Sequence, residues 1–184
     1  MTAPNQPPPR IEPGGRGDVG LVNWAVCVAL GKAGGTPPPN LFTTLGRSRG
    51  LFRGWLHFAG RLMPGGRLPR RETELVILRV AHLRSCTYEW EHHVRLGRRA
   101  GVTADEIGRL QQDLNPGAWT DREAAILAAV DELHDRGDLA DATWDRLRVH
   151  LDDRAAIELV LLVGHYEMLA TAITALRIAP DPRR

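Results

Sequence analysis

The sequence lacks the features that mark nucleic-acid-binding proteins. Lys32 is the only lysine among 24 lysine and arginine residues, and the formal net charge is only +2. No stripe of basic side chains alternates with aromatic ones, which is the pattern of proteins that bind single strands. The basic runs Arg70–Arg71 and Arg98–Arg99 therefore indicate solvated helix faces, and we expect no nucleic acid partner.

Cysteines and long apolar runs are also scarce. Cys27 and Cys86 are the only cysteines, too few for a disulfide framework, so a reduced, cytoplasmic setting is expected. The first ten residues lack the basic and then apolar layout of a signal peptide. The longest apolar stretch, Val19 to Leu30, is shorter than the roughly 20 residues that span a bilayer. We therefore expect no membrane partner.

The pattern of apolar residues predicts helices throughout. No segment shows sustained alternation of apolar and polar residues, so the sequence predicts no β-strand. Apolar residues instead recur at three- and four-residue spacing, for example from Leu41 to Met63. Thr103 with Glu106 and Thr120 with Glu123 form capping boxes that mark helix starts. An all-α bundle of about seven helices follows.

One domain of this size is expected, preceded by a tail. Residues 1–17 are rich in proline and glycine and predict a flexible tail, and residues 18–180 form the predicted domain. Asp18 is expected to cap a helix from Val19 to Lys32. That helix is apolar almost all round, which is typical of a helix buried in a core or laid against another subunit. Cys27 inside it is interpreted as a small buried hydrophobe.

Chemically active side chains concentrate in residues 70–101, which predict two helices or one helix with a break. The stretch reads RRETELVILRVAHLRSCTYEWEHHVRLGRRAG. Glu74 lies inside the apolar run of the first part, and a buried carboxylate needs a partner or a raised pKa. The simplest interpretation is that Glu74 pairs with Arg70 or Arg71 near the helix start.

The second part of this stretch carries a thiol, a carboxylate and an imidazole in a row. Cys86, Glu89 and His93 stand at positions i, i+3 and i+7, which places them on one helical face. Histidine titrates near neutral pH and a carboxylate can orient it, so this set suits proton transfer. The alternative is that Glu89 and His93 form an ion pair on a solvated surface. No third ligand stands at a recognisable spacing, so no metal is expected.

Three segments together resemble the carboxymuconolactone decarboxylase family, whose superfamily also holds the alkylhydroperoxidase D proteins. They are Glu74, SCTYEWEHH and, near the C-terminus, GHYEMLA. The resemblance covers roughly Leu41 to Ile178. It implies a helical bundle of the alkylhydroperoxidase D type, assembly into homo-trimers or homo-hexamers, a small-molecule substrate and no cofactor.

The resemblance is incomplete at the peroxidase motif. In the peroxidase branch, a glutamate is followed twelve residues on by Cys-x-x-Cys, and a histidine stands four residues after the second cysteine. Glu74, Cys86 and His93 match this motif, but Glu89 stands at the second cysteine and Tyr88 at a relay histidine. Without the cysteine pair the dithiol cycle cannot run in the family's way. The form Tyr-Glu-Trp followed by histidine looks like the decarboxylase-like branch.

The first functional hypothesis that the resemblance implies is a cofactor-free enzyme acting on a small carboxylated or lactone substrate. Its pocket would be bounded by Glu74, Glu89 and His93. Loss of carbon dioxide beta to a carbonyl leaves an enolate, which must be stabilised and then protonated. His93 as an imidazolium would supply the proton, and Glu74 or Glu89 would orient its ring.

Three further side chains are candidate substrate-binding residues. Tyr88 lies within the central motif. His165 and Tyr166 follow the small Gly164, where another backbone can approach closely. The alternative is that His165 and Tyr166 satisfy each other in the core.

The second hypothesis is a thiol antioxidant of the alkylhydroperoxidase or peroxiredoxin type. Cys86 would be the peroxidatic thiol, activated by His93, and Cys27 would resolve it. Nearby carboxylates would raise the pKa of Cys86 and oppose this activation. The third hypothesis is a non-enzymatic helical oligomer that binds a ligand or a partner through its apolar first helix.

Overall fold

A computed structural model describes residues 7–182 as helices joined by turns and loops, which confirms the predicted all-α class. Ten α-helices, one 3-10 helix (Pro116–Ala118) and no strand occur in this range. The α-helices, in chain order, are α1 (Arg16–Val19), α2 (Leu21–Gly34), α3 (Asn40–Leu45), α4 (Arg49–Leu62), α5 (Arg70–Leu83), α6 (Thr87–Arg99), α7 (Ala104–Arg109), α8 (Asp121–Arg136), α9 (Asp141–Arg148) and α10 (Asp153–Leu176).

One compact unit comprises residues up to Ala59 together with residues from Ala172 onward. Its core is a cluster of Val19, Cys27 and Phe52, all at most 1% exposed. Partly buried aromatic side chains pack around them; the Phe52 and Trp55 rings, for example, have centroids 5.9 Å apart. Cys27 is therefore a buried apolar residue, as expected.

The first helix begins earlier than predicted and is interrupted. The backbone N–H of Gly15 donates to the Asp18 carboxylate at 2.9 Å, so Asp18 lies inside the short helix α1 and is not its N-cap. Gly20 then adopts a φ of +84°, a conformation that favours glycine, and separates α1 from α2. The predicted continuous helix from Val19 to Lys32 is wrong because this glycine ends the first turn.

The predicted N-terminal tail is partly attached to this unit. Residues 1–6 lie outside the described residues, so their predicted flexibility stays a prediction. Arg10 donates from its backbone N–H to Leu176 O at 3.0 Å and from its side chain to Ala175 O at 2.8 Å. The N–H of Gly14 donates to Thr43 O at 3.1 Å. These hydrogen bonds anchor the chain from Arg10 onward.

The second compact unit, Gly60–Thr171, is built around α5. Every residue of this helix from Glu72 to Ala81 is buried, and the helix packs mainly against α6 and α8. This agrees with the prediction that α5 has almost no polar face. The apolar core beside it consists of Leu75, Leu78, Val102, Ile107, Leu110 and Leu127.

Ion pairs fix α5 in this unit. The Arg71 guanidinium contacts Glu106 at 2.6 Å and Glu123 at 2.9 Å. Arg79, which is 5% exposed, contacts both carboxylate oxygens of Asp131 at 2.6 and 2.8 Å. Since Arg71 is committed to these two glutamates, it does not serve as the predicted partner of Glu74.

Exposed large apolar residues lie on four of the described helices, of which α2 and α10 carry the most. On α2 these are Leu21, Val22 and Leu30, and on α10 they are Ile157, Val160, Leu161 and Met168. Helix α10 has 24 residues and is long and apolar enough to cross a membrane by length and composition. Core helices of soluble proteins share these properties, and 44% of the 18-residue apolar segment of α10 is buried. This segment, and not Val19 to Leu30, is the longest apolar one. The single-domain organisation, the homo-oligomer and the cytoplasmic location stay predictions.

Candidate active site

The break predicted within residues 70–101 is a turn that places α5 and α6 side by side. Helix α5 ends at Leu83, and Ser85 then adopts a left-handed φ of +51°. Cys86 follows as the N-cap residue of α6, and its backbone N–H donates to Ala81 O at 2.8 Å. Consequently the polar face of α6 meets the buried face of α5.

This turn brings Glu74 of α5 against His93 of α6. Glu74 Oε2 lies 2.8 Å from His93 Nδ1, and the two residues are 0% and 7% exposed. The other oxygen, Oε1, forms an ion pair with Arg70 at 2.5 Å, although it accepts no well-aligned hydrogen bond among residues 7–182. Both partners proposed from the sequence, an arginine and the motif histidine, therefore contact the same carboxylate.

The alternative in which Glu89 and His93 form a solvated surface pair is wrong. Glu89 is 2% exposed, and Glu74 is the carboxylate that contacts the His93 ring. The Glu74 carboxylate, which also pairs with Arg70, can accept a hydrogen bond from Nδ1–H of His93. The Nε2 atom is then the ring nitrogen left to exchange a proton with a substrate.

Tyr166 of α10 forms one wall of this site. Its ring stands edge-on to His93, with centroids 5.3 Å apart, and edge-on to His165 at 5.1 Å. Burial, and then the charges of Glu74 and Glu89, hold the pKa of Tyr166 well above its usual value, so the phenol stays protonated. Burial lowers the pKa of His165 to about 4, so that ring is neutral at physiological pH. Both residues are therefore neutral groups. Tyr166 contacts His93 and His165 contacts Tyr166, and the substrate-binding role of both stays a prediction.

Glu89 is a buried carboxyl that holds its proton near neutral pH. Burial raises its pKa to about 8; the Cys86 thiol and Arg84 oppose part of this shift, whereas the charge of Glu167 adds to it. Apart from the Cys86 thiol, its oxygens have no hydrogen-bond partner among the described residues. A buried, poorly solvated carboxyl of this kind is costly to the fold and is typical of functional sites.

Cys86 is a thiol and not a thiolate in this environment. Burial and then the charge of Glu89 raise its pKa to about 12, and 3% of the side chain is exposed. The sequence predicted this direction from the neighbouring carboxylates. Cys27 and Cys86 are both free and buried, each within its own unit.

Tyr88 is the remaining residue predicted from the sequence. It is 8% exposed, and its ring stacks on His92, one helical turn along α6, with centroids 4.9 Å apart. Its substrate-binding role stays a prediction. No group of three or more metal-ligating side chains clusters within residues 7–182.

Three neighbours of the site were missed from the sequence. Glu167 Oε1 lies 2.6 Å from His134 Nδ1, and Glu167 Oε2 lies 3.3 Å from Arg84 Nε. The only sequence signal was that Glu167 directly follows Tyr166 in the GHYEMLA segment. His134 and Arg84 belong to other helical segments, so no local spacing connects them with it.

Comparisons with known proteins agree with this fold. Residues 49–132 match the model of the carboxymuconolactone decarboxylase family. No curated protein matches the chain. A structure of an uncharacterised peroxidase-related protein from Ralstonia eutropha JMP134 matches with a TM-score of 0.81 and 17% identity, over 96% of this chain and 94% of that one.

Two further solved structures share the fold. An uncharacterised peroxidase-related protein from Silicibacter sp. TM1040 matches with a TM-score of 0.78 and 18% identity, over 98% of this chain and 95% of that one. The debrominase Bmp8 matches with a TM-score of 0.78 and 16% identity, over 93% of this chain and 91% of that one. At these identities the likeness concerns the fold alone.

Proposed function

We propose that the chain, whose residues 49–132 match the model of the carboxymuconolactone decarboxylase family, is a cofactor-free enzyme of the carboxymuconolactone decarboxylase and alkylhydroperoxidase D-like superfamily. It would act by general acid–base catalysis on a small carboxylated or lactone substrate. The main support is the buried 2.8 Å contact between Glu74 Oε2 and His93 Nδ1. A carboxylate that fixes one ring nitrogen leaves the other oriented for proton transfer.

The proposed reaction is loss of carbon dioxide beta to a carbonyl. The bond between the carboxylate carbon and the alpha carbon breaks, and its electron pair moves into an enolate. Glu89 and Tyr166, both protonated near neutral pH, can donate hydrogen bonds to the enolate oxygen. His93, as an imidazolium, then gives its Nε2 proton to the alpha carbon, and Glu74 keeps the ring in place throughout.

The test is a screen of carboxylated lactones and beta-keto acids for release of carbon dioxide. On a substrate that turns over, we expect His93→Gln to lower kcat by about 10² to 10⁴-fold, the usual worth of a general acid. Glu74→Gln should also lower kcat, because Gln cannot fix the same tautomer. His57→Gln is the control, since it removes an exposed histidine of α4 that is not among the candidate site residues. Full turnover by both His93→Gln and Glu74→Gln would refute the assignment.

A second candidate function is a thiol peroxidase that uses Cys86. Its support is that two structures of the same fold belong to proteins described as peroxidase-related. The surroundings of Cys86 favour the acid–base function instead, because a peroxidatic cysteine reacts as a thiolate. Burial and the neighbouring carboxyl of Glu89 keep this thiol protonated.

A further inference from the structure

A second contact between a carboxylate and a histidine lies next to the candidate active site and takes no part in the proposed proton transfer. It joins Glu167 of α10 to His134 of α8 at 2.6 Å. The second oxygen of Glu167 contacts Arg84 at 3.3 Å, and Arg84 also donates to Thr171 Oγ1 at 2.8 Å. The side chains of His134, Glu167 and Arg84 are 20%, 23% and 36% exposed, so solvent screens this cluster only in part.

Arg84 lies in the turn between α5 and α6, so a movement of its backbone would also move Cys86 at the start of α6. It is the C-cap residue of α5, and it precedes the left-handed Ser85 and the N-cap residue Cys86. A serine at a positive φ persists only where its surroundings hold it there. Two backbone hydrogen bonds span this turn, from Ser85 N to His82 O and from Cys86 N to Ala81 O, each 2.8 Å long. The Arg84 side chain adds a connection to a different helix.

We propose that Glu167 is a positioning residue of the candidate active site: by holding Arg84 it fixes the α5–α6 turn from which Cys86 and Glu89 project. Tyr166, its neighbour in sequence, presents its ring edge to His93. Two consecutive residues of α10 therefore act on the site: Tyr166 contacts the His93 ring, and Glu167 contacts Arg84 in the α5–α6 turn. The relevance to catalysis rests on the proposed function, but the positioning itself does not.

Glu167 also acts on the site through its charge. The groups that face Glu89 are Cys86 and Arg84 near the α5–α6 turn, and Tyr166 and Glu167 from α10. The negative charge of Glu167 favours the protonated form of Glu89, whereas the positive charge of Arg84 opposes it. Removing the charge of Glu167 therefore removes the effect that favours the protonated form of Glu89 and leaves the opposing effect of Arg84 in place. The ionised form of Glu89 is then favoured, so its pKa falls.

Two substitutions at position 167 distinguish the effect of the Glu167 charge from the effect of its contact with Arg84. Glu167→Gln removes the charge but keeps a side-chain oxygen that accepts from Arg84. We expect the carboxyl ¹³C NMR titration of Glu89, assigned with Glu89→Gln, to shift down by about 1 pH unit, the lower end of the effect of a close charge. Hydrogen exchange at the Cys86 amide should stay near the wild-type rate in this variant.

Glu167→Ala removes the contact as well as the charge. We expect the Cys86 amide to exchange about tenfold faster or more, because the turn opens more often once Arg84 keeps only its hydrogen bond to Thr171. Arg84→Met removes the same contact from the other side, and it should speed this exchange even if Glu167→Ala folds poorly. Asp135→Asn is the matched control, since it removes an exposed carboxylate of α8 next to His134 and should change neither measurement.

Unchanged exchange at the Cys86 amide in both Glu167→Ala and Arg84→Met would overturn the positioning role. An unshifted Glu89 titration in Glu167→Gln would show that the charge of Glu167 does not reach the site. A general loss of stability would speed exchange across the core of α5 as well, so acceleration confined to the turn is the expected result. None of these readouts needs a substrate, so they stay informative even if the His93 variants disprove the proposed function.

Discussion

Hydrogen peroxide is expected to leave Cys86 unmodified over a time in which an ordinary cysteine is oxidised. A thiolate and not a thiol attacks a peroxide. Burial and the charge of Glu89 raise the pKa of Cys86 to about 12, and 3% of its side chain is exposed. The structure therefore predicts a slow thiol at the very position where relatives of the peroxidase branch carry their first motif cysteine.

The expected rate follows from the thiolate fraction. At about pH 7.5 a cysteine with the usual pKa of about 8.5 is roughly one-tenth thiolate. A thiol with a pKa of about 12 is ionised in roughly 3 molecules of 100,000, which is about 3,000-fold less; this is the largest reduction expected, because Glu89 is mostly protonated at this pH and burial then acts without its charge. The thiolate of a weaker acid is the better nucleophile, by roughly 30-fold over this interval, so the net slowing from ionisation is at most about 100-fold. Limited access to the buried sulfur adds to it.

The assay is a brief peroxide challenge of the reduced protein, followed by intact mass and peptide mapping of Cys27 and Cys86. The same chain unfolded in urea is the reference, because its thiols have ordinary pKa values and full access. We expect Cys86 to react about 10- to 100-fold more slowly in the native protein than in this reference. A rapid sulfenic acid on native Cys86, or a Cys27–Cys86 disulfide, would refute this reasoning and favour the thiol peroxidase function.

Three further predictions concern stability and assembly. Hydrogen bonding to Arg71 lowers the pKa of Glu106 to about 2, so the pair stabilises the fold above pH 4.5 and this contribution disappears as the pH falls through about 2. Glu106→Gln, which keeps the capping box, should lower the free energy of unfolding in urea by about 2 kcal/mol at pH 7 and by less than half of that at pH 3. An equal loss at both pH values would contradict this. Leu78→Ala should lower the free energy of unfolding by about 2–5 kcal/mol, because Leu78 is 0% exposed in the core, and a loss below about 1 kcal/mol would argue against that packing. If the apolar face of α2 is a subunit interface, Val22→Glu should reduce the mass measured by light scattering, and an unchanged oligomer would exclude this face.

Local sequence patterns were enough for the fold class and for the choice of candidate residues. Capping boxes at Thr103 and Thr120 are present as predicted, because they depend only on residues three positions apart. The contact between Cys86 and Glu89, also three positions apart, is local in the same way. The misplaced start of the first helix had a local cause too, since Gly20 interrupts a segment whose apolar pattern is continuous.

Local sequence is sufficient to define the helices and the chemical groups on their faces, because hydrogen bonding and side-chain spacing within a helix depend on residues a few positions apart. Which carboxylate holds His93 was decided by tertiary structure, since Glu74 and His93 are 19 residues apart and meet only when α5 packs against α6. The protonation of Glu89 and Cys86 was also decided there, because desolvation depends on everything packed around a group. For the same reason the contact between Glu167 and Arg84, which joins separate helices, emerged only from the folded chain.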